Sequence, residues 1–158
     1  MSDLRLADPT YPQRLAALQH EACLSNQQAV ACLVMLWDAV ELWDDLIDKD
    51  KNIDDQDIHR VFTSLMFWLP QNVFFDQNKH YLLPLIMTFI NAWHDANELQ
   101  KSSDMREKQD AWHLKQMGIE LIGAFAFLIG GFDHMRNVSI KARNVLRHEP
   151  FQEFVKEH

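Results

Sequence analysis

Apolar residues along much of this chain recur three and four positions apart. Ile58, Val61, Phe62, Leu65, Met66 and Leu69 are the clearest run. That spacing predicts a helix with one face toward a core. Asp54 or Asp55 is placed to cap it, acids in the first turn suit the positive end of the helix dipole, and Pro70 is expected to end it. Upstream, Pro12 opens a short helix reaching Cys23, with Leu15, Leu18 and Cys23 facing inward. Ser25-Asn26 then caps a long helix to about Asp48.

Downstream, 71–78 reads as a loop with Val73, Phe74 and Phe75 tucked against the bundle. A helix is expected from about Lys79 to Gln100, with Pro84 near its start. Ser102-Ser103-Asp104 forms a turn and cap, and the next helix runs to about Ile129, where Gly130-Gly131 breaks it. A last long helix covers about Phe132 to Leu146. Pro150 stops it, leaving 150–158 as a tail or short docking helix, and residues 1–10 as an arm. The expectation is an all-α, single-domain bundle of five to six helices over residues 1–158.

Composition supports this picture. Four glycines and five prolines in 158 residues leave few turns and long elements between them. The net charge of -8 argues against a nucleic-acid binder, which needs cations to displace counterions from phosphates. The basic residues gather in 134–148, where Arg136, Lys141, Arg143 and Arg147 stand without an acid. Met117 to Phe132 is apolar but short and interrupted by Glu120, so a buried helix is expected and no membrane contact. Cys23 and Cys32 read as reduced core thiols of a cytoplasmic protein, and the first residues carry no apolar signal segment.

The chemistry concentrates in Trp37 to Asp50. At about 100° per residue, Asp38, Glu41, Asp44, Asp45 and Asp48 all lie within about 60° of Glu41 on one helix face. No lysine or arginine is interleaved to relieve their repulsion. One turn upstream the same stripe is apolar: Val30, Leu33, Val34 and Trp37. An apolar stripe that turns acidic predicts a pocket with an apolar floor and a charged rim. The helix over 79–100 repeats the design with Asn91, His94, Asp95 and Glu98. In an up-down bundle these two helices run parallel, which brings both acidic halves to one pole, and the last helix returns there with Arg143 and Arg147.

Carboxylate oxygens hold Mg²⁺ or Mn²⁺, which favour phosphate co-ligands, and arginines clamp phosphate oxygens. The expected metal ligands are therefore Glu41, Asp44, Asp45 and Asp48, helped by Asp95 and Glu98. Arg143 and Arg147 would bind phosphate, and Trp37, Asn91 and His94 would line the pocket. The function this implies is divalent-metal-dependent binding or hydrolysis of a phosphate- or diphosphate-bearing small molecule.

Asp44-Asp45-Leu46-Ile47-Asp48 is D-D-x-x-D and resembles the first metal motif of class I terpenoid and prenyl diphosphate synthases, which implies Mg²⁺ on these aspartates. A second D-D-x-x-D is missing from the chain. Trp43 to Lys51, Ala96 to Leu99, Leu128 to Gly131 and Glu149 to Phe154 resemble small all-helical proteins of tailed phages and prophages. That resemblance implies an accessory protein, without enzymatic activity, that binds a host protein through its acidic face. A homodimer is the other assembly left open, with the basic strip meeting the acidic pole of its mate.

Overall fold

The computed structural model describes residues 9–48, 52–146 and 150–157, and over these the chain is an all-α bundle. Helix α1 spans Tyr11–Ala22 and α2 spans Gln27–Asp48. Then α3, Asp55–Thr63, runs through a π turn, Ser64–Trp68, into α4, Leu69–Gln71. After these come α5, Val73–Leu99, then α6, Met105–Leu114, α7, Gly118–Val145, and α8, Phe151–Glu157. Residues 1–8 of the expected arm lie outside the described residues.

Polar side chains set four of the helix starts. The Asn26 side chain accepts from Ala29 N at 3.1 Å, Asp54 from Gln56 N at 3.1 Å, and Asp104 from Arg106 N at 2.8 Å. These are the caps expected from the sequence. Two boundaries differ. Residues 73–78, expected as loop, form the first turns of α5, because Asn72 caps them by accepting from Phe75 N at 2.8 Å. Pro70 falls just after the π turn and the helix ends one residue later, at Gln71, close to the expected stop, while Pro84 lies well inside α5.

The second difference lies between α6 and α7. One helix was expected from Asp104 to Ile129, but the chain turns at Lys115 to Met117 and restarts at Gly118. The turn lets Gly118 lie against Trp37: a methyl group added there would sit 3.7 Å from the indole. Gly131 does reverse the chain as expected, with φ of 76° and ψ of -170°, a conformation open only to glycine. The two arms of α7 consequently fold back on each other. Arg143 donates to Glu120 at 2.6 Å, and Gly123 faces Met135.

The core lies between α1, α2, α5 and the α7 hairpin. Leu33, Leu82, Ile122, Phe125 and Val138 are fully enclosed, and Phe74 stacks on Phe125 with centroids 5.2 Å apart. Cys23 and Cys32 are free and buried in this core, and burial pushes both thiols up to about 12, with Cys23 adding to the effect on Cys32. A second, smaller cluster joins Ala96 and Ala111 to Phe154, which docks α8 on α5 and α6.

Candidate functional site

Helices α2 and α5 run parallel, and two contacts at opposite ends show it. Near their starts, the Asn72 amide donates to Gln28 O at 2.9 Å. Toward their ends, the Trp93 indole N–H donates to Asp44 Oδ1 at 3.1 Å. Between the two helices and the turn that precedes α7 lies a cavity of about 330 Å³. Its size is at the lower end of small-molecule sites.

Its walls are mainly aromatic and aliphatic: Trp37, Trp43, Val40, Ile86, Phe89 and Trp93, closed by Ile119, Leu121 and Leu146 from α7 and its flank. The charged residues lining it are Glu41, Asp44 and Lys115. Each carboxylate is fixed by an indole. Trp37 Nε1 donates to Glu41 Oε1 at 2.8 Å, and Trp93 Nε1 donates to Asp44. Trp43 and Trp93 lie against each other, centroids 4.3 Å apart and planes 35° apart. With their N–H groups engaged on carboxylates, the indoles of Trp37 and Trp93 have only ring surface left for a guest.

The exposure pattern of α2 follows from this. Glu41, Asp44 and Asp45 are half-buried, whereas Val40, Leu46 and Ile47 are exposed. Of the acidic stripe, Glu41 and Asp44 thus border the cavity, and Asp45 does not line it. Asp38, at the edge of that stripe, pairs with Arg60 of α3, and that hydrogen bond holds the guanidinium above its ordinary pKa. The Asp48 side chain and Arg147 lie outside the described residues.

The acids of α5 have a different placement. Asn91, His94, Asp95 and Glu98 are exposed and do not line the cavity. Asn91 donates to Asp95 at 2.9 Å, Glu98 pairs with Lys101 at 2.7 Å, and His94 sits edge-on to Trp43 with centroids 5.7 Å apart. Arg143 is held by Glu120 at 2.6 Å. Among the described residues no three His, Cys, Asp or Glu side chains come together as a group able to hold a metal ion. The structure therefore gathers Trp37, Glu41 and Asp44 at one cavity and leaves Asn91, His94, Asp95, Glu98 and Arg143 outside it.

Trp43, Trp93 and the segment Leu114 to Ile119 were not singled out by the sequence. A signal was present for the first two. Trp43 follows Glu41 by two residues and Trp93 follows Asn91 by two, so two parallel helices of like pattern bring their tryptophans together. The third depends on the turn before Gly118, which no periodicity announces. No protein-family model, curated protein or solved structure matches this chain.

Proposed function

We propose that this chain binds a small organic cation with an apolar body, held in the cavity between α2, α5 and the start of α7. The observation that supports this is the lining: three tryptophans beside two carboxylates, Glu41 and Asp44, and one ammonium, Lys115. Two negative charges against one positive leave the lining net negative. Indole faces attract cations through their quadrupole, and nearby carboxylates do so by charge. The same lining disfavours a bare phosphate or carboxylate ligand.

Three probes with one body and different heads test this: phenylbutylammonium, phenylbutanol and phenylbutyrate, titrated while tryptophan fluorescence is followed. The ammonium should bind about tenfold tighter than the alcohol, since one charge-assisted contact is worth about 1.4 kcal/mol or more. The butyrate should bind weakest. Glu41→Gln and Asp44→Asn should remove the preference for the ammonium while the alcohol still binds. Equal binding of butyrate and ammonium, or no response to any probe, would refute the proposal.

A second reading keeps the divalent ion and a phosphate-bearing ligand. Its support is the parallel course of α2 and α5, which puts the acid-rich ends of both helices at one end of the bundle. Calorimetric titration with Mg²⁺ or Mn²⁺, alone and with inorganic pyrophosphate, separates it from the first. A heat that disappears in Asp45→Asn would favour the ion, and no heat would end that reading.

A further inference from the structure

We propose that the end of the bundle opposite the acidic ends of α2 and α5 is the surface through which two copies of this chain associate. Three chain reversals meet there: the α1–α2 loop, the junction at Asn72, and Gly131. Contacts tie them together. Asn72 reaches Gln28 O, Phe74 stacks on Phe125, and His134 Nε2 lies 3.1 Å from Ala22 O.

Around these reversals six large apolar side chains are more than half exposed or nearly so: Leu24 57%, Phe67 54%, Trp68 57%, Val73 54%, Phe127 50% and Phe132 62%. Together they expose roughly 600 Å² of apolar surface, taking aromatic side chains at about 200 Å² each. That summed area, with a polar rim added, is close to the roughly 800 Å² per partner of a stable interface.

Charge identifies the occupant. The segments 17–31, 66–79 and 122–141 form this end. They contain three acids, Glu21, Asp76 and Asp133, and three bases, Lys79, Arg136 and Lys141, for a net charge of zero. Two of these pairs are made within the chain, Lys79 with Asp76 and Lys141 with Glu21. The rest of the chain holds the other 20 acids and 12 bases and so carries the whole net charge of -8. Two copies that approach by their acidic ends repel each other and meet here without that cost. A basic partner would be drawn to the other end. An anionic lipid surface would repel the chain as a whole and finds no unmatched basic cluster here.

The test is the oligomeric state of the full chain by sedimentation equilibrium across concentrations up to about 100 μM. The wild type should dimerise. Phe132→Asp combined with Trp68→Asp should weaken the dimer by about 100-fold or more, since a buried unpaired carboxylate opposes association. Both side chains are more than half exposed, so the helical circular dichroism and melting of the variant should stay close to wild type. Met87→Asp, at an exposed apolar position away from this end, should leave the dimer intact. A wild type that stays monomeric throughout, a dimer indifferent to the double variant, or a monomer that floats with neutral-lipid vesicles would each overturn the proposal.

Discussion

Asn72 is a single polar residue on which both the start of α5 and its alignment with α2 depend. It is 6% exposed. Its side-chain oxygen accepts from Phe75 N at 2.8 Å and its amide donates to Gln28 O at 2.9 Å. Asn72→Ala removes both. Loss of an N-cap costs about 1 kcal/mol, and loss of a second, part-buried hydrogen bond costs a further 0.5–1.5 kcal/mol, giving about 1.5–2.5 kcal/mol in all. For a chain of this length that is a fall in Tm of roughly 5–10 °C. Asn72→Ser separates the terms. Serine keeps a cap acceptor but is too short to reach Gln28, so about half the loss should remain. Urea unfolding of the three proteins measures it. Because the tie also fixes the relative height of α2 and α5, probe binding in the cavity should weaken in both variants. If Asn72→Ala costs less than about 0.5 kcal/mol, or if serine restores full stability, the two-part account is wrong.

Three further outcomes follow from the packing. Gly131→Ala meets no atom within 4 Å but must hold a φ of 76°, so it should cost about 1–3 kcal/mol through backbone strain alone. An unchanged urea midpoint would refute that reversal. Phe154→Ala empties a site that is 2% exposed, and amide protons of 151–157 should lose hydrogen-exchange protection while those of α2 and the α7 hairpin keep theirs. Equal loss throughout would show that α8 belongs to one cooperative core. The buried thiols predict alkaline sensitivity. Their folded pKa is about 12 against an ordinary 9.0, so the stability is complete below pH 9 and declines as pH rises toward 12. The slope is about 1.4 kcal/mol per pH unit per thiol. Cys23→Ala with Cys32→Ala should flatten that limb, and an identical pH profile would sink the reasoning.

The all-helical fold was readable because capping chemistry is local. Asn26, Asp54 and Asp104 each accept the backbone N–H that their sequence position forecasts. The loop expected over 71–78 failed for a tertiary reason. Asn72 is anchored from outside by Gln28 and Phe74 packs on Phe125, and neither partner lies within 40 residues in sequence. The cavity was half readable. Periodicity put Trp37, Glu41 and Asp44 on one stripe, and up-down topology made α2 and α5 parallel. The exposure of Asp95 and Glu98 depends on how far α5 rotates about its axis, and that is set by Trp93 reaching Asp44.

That rotation also explains a breach of local helix rules. An α-helix favours cations near its C-terminus, yet neither α2 nor α5 has a basic residue in its last turn. Five acids crowd the last three turns of α2. An apolar-in, acidic-out arrangement was available to this helix, with Leu46 and Ile47 inside. The fold instead leaves both exposed and sets Glu41 and Asp44 beside an aromatic cavity, each fixed by an indole N–H. Such a choice costs stability twice, in carboxylate desolvation and in apolar surface left wet. Local preference yielding to a shaped, charged concavity is what the proposed cation site calls for. On that ground Glu41 and Asp44, not the D-D-x-x-D run they overlap, are the residues on which recognition is expected to depend.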